Sequence, residues 1–170
     1  MKKKLAILLC CFLLAGTLAG CGSGGGEKKW TLKEGTTLED VVSGINKEIG
    51  IAMPMEVTEE SLSDTFHINK EDAAEYAGKF SMSITSADNF IIIKPAEGKK
   101  DAVKAALEQR KEDVIKSFEM YLPGEYEKAK AGRILEKGDY LIFMVLGDPA
   151  EEDFEKPLDN AEKVLEQYFD

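Results

Sequence analysis

Phe80-Ser81-Met82-Ser83-Ile84-Thr85-Ser86-Ala87-Asp88-Asn89-Phe90-Ile91-Ile92-Ile93 is the stretch whose reading decides the fold. Phe80, Met82 and Ile84 alternate with small polar residues, the period of a strand with one wet face. Phe90 to Ile93 is a continuous apolar run, which suggests a strand buried on both faces. Ala87-Asp88-Asn89 supplies turn residues between them, so the stretch reads as a hairpin. A second hairpin is expected from Arg133–Glu136 and Tyr140–Leu146 around Lys137-Gly138-Asp139.

Working outward, each hairpin is followed by a helical pattern. Val103, Leu107, Val114, Phe118 and Tyr121 share one side of a helix expected from Lys100 to Leu122, closed by Pro123-Gly124. Phe154, Leu158, Ala161, Leu165 and Tyr168 form the stripe of a last helix. Asp148 is its expected N-cap and Pro149 its first residue, with Pro157 expected either to kink it or to start a separate helix. Upstream, Leu38, Val41, Val42, Ile45 and Ile49 make an amphipathic stripe. Thr36 with Glu39, or Thr37 with Asp40, offers a capping box, and Gly50 a stop. Met53-Pro54-Met55 interrupts regular structure, residues 58 to 66 read as a short helical turn, and Asn69 as the cap of a short helix to Tyr76, ended by Gly78. The sum is an α+β two-layer domain: a four-stranded, largely antiparallel sheet from two ββα units, helices packed on one face, preceded by an N-terminal helix.

The N-terminus reads as an address. Lys2, Lys3 and Lys4 precede an apolar run from Leu5 to Leu18 that is too short to span a bilayer, which takes about 20 apolar residues. Leu18-Ala19-Gly20-Cys21 resembles the bacterial lipobox. That resemblance implies diacylglyceryl transfer to the Cys21 sulfur, cleavage before Cys21, and a stable extracytoplasmic membrane tether. Residues 1–20 are thus expected to be a lipoprotein signal peptide, 21–29 a Gly-rich flexible linker, and 30–170 a single domain. Cys10 and Cys11 fall in the segment expected to be removed, which leaves no thiol pair for a disulfide.

With 22 Lys and Arg against 32 Asp and Glu, the chain carries a formal charge of −10. Without residues 1–20 the balance is 19 against 32, or −13. Such acidity disfavours nucleic acid, which needs a basic footprint, and is repelled by anionic lipid headgroups.

Ser117-Phe118-Glu119-Met120-Tyr121-Leu122-Pro123, the strand Ser86 to Lys94, Met53-Pro54-Met55 and the lipobox together resemble the small lipoproteins grouped as domain of unknown function 4358. The resemblance covers roughly residues 36 to 147. It carries no catalytic or ligand-binding residues, and Asn89 stands where that family tends to have an acid.

Candidate chemistry is sparse. His67 is the only histidine, with Asp64 and Glu71 nearby, but this trio straddles an expected break at Asn69 and so reads as a surface or packing histidine rather than a zinc site. Glu59-Glu60 and Glu151-Glu152-Asp153 lack the spacing of a calcium loop and read as solvated faces. No Gly-x-Ser-x-Gly elbow or phosphate loop is present. Arg110 is the odd residue, since it falls within the apolar stripe of the long helix. It is expected either to pair with a buried carboxylate or to mark a pocket for an anionic ligand. The expected function is a membrane-anchored lipoprotein with a non-enzymatic binding or accessory domain, no cofactor, no metal, and an unidentified protein or small-molecule partner. The alternatives are a carboxylate- or metal-dependent hydrolase acting on cell-wall material, and a structural subunit of a membrane assembly.

Overall fold

A computed structural model of the protein describes residues 30–170. The segment expected to be a signal peptide, Cys21 and the expected linker lie outside the described residues. The elements are α1 (Leu38–Glu48), β1 (Pro54–Glu56), α2 (Glu59–Asp64), β2 (Ala73–Ser81), β3 (Asn89–Pro95), α3 (Lys100–Phe118), α4 (Pro123–Ala131), β4 (Arg133–Lys137), β5 (Tyr140–Val145) and α5 (Glu155–Glu166). One sheet holds all five strands in the order β1-β2-β3-β5-β4, every neighbour antiparallel.

The fold is α+β with an antiparallel sheet, as expected, but the finer description needs correcting. The sheet has five strands rather than four, because Met53-Pro54-Met55 leads into the edge strand β1. Pro54, at the first position of an edge strand, removes no ladder donor the sheet needs. Two successive ββα units do not describe the chain either, since α4 stands between α3 and β4.

Helices cover both faces of the sheet rather than one. Phe90, Ile92, Ile142 and Met144 pack against α1 and α5. Ile91, Ile93, Leu141, Phe143 and Val145 pack under α2, α3 and α4. The register places Phe90 opposite Met144 and Ile92 opposite Ile142 on one face, and Ile91 opposite Phe143 on the other. Each fully buried Ile or Phe contributes about 1.5–3 kcal/mol, so a strand apolar at every position is stabilised only when both faces are covered.

Local signals account for the starts of α1 and α2, both of which carry a capping box. In α1, Thr37 and Asp40 form the capping box: Asp40 N donates to Thr37 Oγ1 at 3.2 Å and Thr37 N to Asp40 Oδ2 at 2.9 Å. Gly50, at φ +90°, turns the chain away afterwards. The expected helix from Asn69 shrinks to a single 3-10 turn, Lys70–Asp72, and the residues to Tyr76 belong to β2. Pairing with β3, Ala73 opposite Pro95 and Glu75 opposite Lys94, overrides the helical leaning of Ala73-Ala74-Glu75. Gly78 is no stop: a Cβ there would lie 2.7 Å from Phe90 O and 2.9 Å from Val57 Cγ2, so glycine permits the close crossing of β2.

Only Phe80 and Ser81 of the expected strand 80–85 belong to the ladder. Beyond them, serine side chains satisfy backbone donors locally, Ser83 N to Ser81 Oγ at 3.0 Å and Thr85 N to Ser83 Oγ at 3.2 Å, and the chain loops outward. The long helix ends at Phe118 instead of Leu122, and Pro123 opens α4 instead of closing α3, the use its missing N–H favours. Asp148 caps only a local turn. The start of α5 is held by Asp153, whose carboxylate accepts from Glu155 N at 3.1 Å and Lys156 N at 3.2 Å, with Pro157 unstrained in the first turn.

Candidate functional site

Arg110 projects from the buried stripe of α3 at the end of the sheet where β3 begins. Its guanidinium lies over the Phe66 ring, 5.3 Å from the centroid, and 6.0 Å from that of Phe80. Nε and Nη2 donate to Asn89 Oδ1 at 3.2 and 3.0 Å, and Asn89 Nδ2 donates onward to Ala87 O at 2.9 Å. The expected buried carboxylate is therefore absent: an amide oxygen holds Arg110, and among the described residues the acid that acts on it, Asp113, does so without an ion-pair contact. Desolvation lowers the Arg110 pKa to about 10, against a weaker opposing pull from Asp113, so the group stays cationic at neutral pH. Asp113 itself is taken by His67, Nε2 to Oδ2 at 2.7 Å. That is the partner His67 finds in place of Asp64 and Glu71. Among the described residues no His, Cys, Asp and Glu group could hold a metal ion.

Arg110 lines a groove of about 270 Å³. Ser81, Ser83, Ser86 and Ser117 bring hydroxyl groups to it, and Ile84, Val114, Phe118 and Tyr121 form its apolar walls. A larger hollow of about 600 Å³ lies between Thr36–Glu39 and Ala74–Tyr76, but its charged residues Glu39, Lys70 and Glu75 are all exposed. The Arg110 groove combines a partly desolvated charge with hydroxyl groups and apolar walls, the usual composition of a ligand site.

Behind the groove is a buried ion cluster that sequence reasoning missed. Lys128 Nζ on α4 donates to Asp88 Oδ1 at 2.8 Å and to Gly147 O at 3.1 Å, and forms an ion pair with Glu125 Oε2 at 2.8 Å. Asp88 Oδ2 accepts from Ala52 N at 2.9 Å, and Glu125 Oε2 from Ala87 N at 2.7 Å. The cluster pins the foot of the Met82–Asp88 loop to α4 and to the segment before β1. The available signal was Pro123 as a helix start with Glu125 and Lys128 three apart on its first turns, a pair that reads as an ordinary surface contact until α4 is known to be covered. Glu59 and Glu60 are exposed in the first turn of α2, and Glu151 and Glu152 are exposed ahead of α5.

Among the described residues no helix is long and apolar enough to cross a membrane. No curated protein and no solved structure is similar enough to the chain to match it. Residues 47–146, which run from the end of α1 through β5, match the family described as domain of unknown function DUF4358. This match spans the groove, the Arg110 helix and the buried ion cluster, and the chain belongs to the DUF4358 family.

Proposed function

We propose that this protein is an extracytoplasmic lipoprotein, tethered through Cys21, whose domain binds a small anionic group in the Arg110 groove without chemical turnover. The observation that carries this reading is a guanidinium partly withdrawn from water, paired only with an amide and faced by hydroxyl groups. A desolvated charge with no counter-charge is costly, and an incoming anion offsets that cost. Hydroxyls and a cation can hold a carboxylate or phosphate by charge-assisted hydrogen bonds. The tether is supported by the lipobox tetrapeptide behind a charged and then apolar N-terminus.

Two measurements test the reading separately. Changing Cys21→Ser should abolish lipid labelling and release the protein from the membrane fraction; continued membrane association with normal signal cleavage would reject the tether. For the groove, the Asn89 side-chain amide resonance of the full chain should shift saturably with acetate or inorganic phosphate, and Arg110→Gln should remove the response. An unchanged titration in Arg110→Gln would reject the groove, and turnover of peptidoglycan fragments dependent on one carboxylate would reject the non-enzymatic reading.

A further inference from the structure

Among the described residues, the exposed large apolar side chains are Met53, Met82, Ile84, Met120 and Tyr121, from 48% exposed at Tyr121 to 90% at Met120. They come from three separate segments, yet all lie at the same end of the sheet. Met82 N bonds Met53 O at 3.2 Å, and Tyr121 Oη donates to Ile84 O at 3.1 Å, so the segments are joined to one another. The Arg110 groove opens between Ile84 and Tyr121. A contiguous exposed apolar rim around a concave polar centre is the composition of a docking surface.

Three further observations identify what docks. The surface is preorganised: Met53 and Leu122 both precede a proline and both hold positive φ, +45° and +51°, a strained backbone maintained by the packing around it. The segments 51–57, 82–89 and 119–124 contain no Lys or Arg, whereas surfaces that lie on anionic membranes combine apolar residues with basic ones. The described chain also begins at the opposite end, where the Trp30 and Phe169 rings pack at a 45° tilt with centroids 5.2 Å apart and Lys137 Nζ lies 5.0 Å from the Trp30 ring. The length of β3 and β5, about 17–20 Å at ~3.4 Å per residue, separates that entry point from the apolar rim.

We infer that this end of the domain docks a protein segment in which an acidic side chain is flanked by apolar residues. The carboxylate sits on Arg110 and the apolar side chains spread over the Met and Ile rim. The inference rests on the groove reading above and names its partner. Charge complementarity selects the acid, because Arg110 is the cation in the groove and has no acid of its own. Methionine selects for adaptable apolar contact, since its unbranched thioether repacks around differently shaped partners. The chain's net charge of −10 opposes an acidic partner at long range, but screening limits that repulsion to about 8 Å at physiological ionic strength. Attraction therefore arises only once the segment reaches the groove.

The test is selection of a random phage-displayed peptide library on the immobilised full chain, followed by anisotropy titration of the enriched peptides. Enriched sequences should share an Asp or Glu beside Leu, Ile, Met, Phe or Trp. Converting that acid to its amide should weaken binding about tenfold or more, and Arg110→Gln should erase the difference between acid and amide. Met82→Ser and Met120→Ser, which lie outside the groove, should weaken the peptides about tenfold while leaving the acetate titration unchanged. No enrichment, enrichment without an acid, or binding unaffected by the Met variants overturns the inference while the small-anion reading stands. Loss of the acetate response with peptide binding intact overturns the groove reading instead. Concentration-dependent self-association abolished by Met120→Ser, or vesicle binding abolished by it in the Cys21→Ser background, would assign the rim to a second copy or to lipid and also overturn the inference.

Discussion

The two faces of β3 and β5 are made by alternate residues of the same strands, yet they do different work. Toward α1 and α5 the contacts are apolar throughout, Phe90, Ile92, Ile142 and Met144 against Val41, Ile45, Leu158 and Leu165. Toward α2, α3 and α4 an apolar centre gives way at one end to Asn89, Asp88, Glu125 and Lys128, all buried, with Arg110 beside them. Burying these charges costs desolvation that a purely apolar packing avoids. What the charges supply is a fixed position for three loops, and the groove and its rim are built from those loops.

Lys128→Ala should break the contrast most severely. It leaves Asp88 and Glu125 buried without their cation, an expected loss of about 3–5 kcal/mol by chemical denaturation, together with loss of anion and peptide binding. On the apolar face, Ile45→Ala should cost a comparable or smaller amount, about 2–5 kcal/mol. Binding measured under conditions where this variant is folded should be unchanged. If the two variants impair binding equally at matched stability, the division of labour between faces is wrong.

Arg110→Leu should have a smaller effect on stability, about 1–3 kcal/mol, because the group left without its donors is the neutral amide oxygen of Asn89. A loss as large as that of Lys128→Ala would indicate a buried carboxylate partner after all. The smallest effect is expected at Glu136, which bridges Lys100 and Lys104 at 2.9 and 2.7 Å on the surface. Its hydrogen bonds to these lysines hold its pKa at about 2, below the ordinary 4.5. A depressed folded pKa favours the folded state above the unfolded value, so this contribution is present above pH 4.5 and disappears as pH falls toward 2. Glu136→Gln should slightly lower stability at pH 7 and flatten that part of the acid limb, with the two proteins converging at lower pH. An unchanged acid limb would remove Glu136 from the account.

Legibility followed the range of the interactions involved. The α1 stripe with its capping box and the β4–β5 hairpin rest on contacts between residues close in the chain, and they stand as read. Phe90 to Ile93 already implied burial on both faces, a pattern incompatible with helices on a single face, and the second helical layer is what that run requires. Arg110 stood out because a charge interrupts an apolar stripe. Its partner did not, since Asn89 is far away in sequence and an amide carries no charge signal. Met82 and Ile84 misled, because alternation of apolar and polar residues is the same in a half-buried strand and in a loop whose apolar residues stay exposed.

Taken alone, the sequence determined the start of α1 with its capping box, the β4–β5 turn, the apolar content of the central strands, the acidic balance and the resemblance of residues 18–21 to a lipobox, all of which depend on residue chemistry at short separation. Tertiary structure decided the fifth strand, the distribution of helices over two faces, the burial of Lys128 with Asp88 and Glu125, and the gathering of five exposed apolar side chains around Arg110. Those outcomes depend on which surface is covered once distant elements pack. A Glu-x-x-Lys pair on a helix has the same spacing in water as in the interior, and only the packed neighbours on its open side determine which of the two it is.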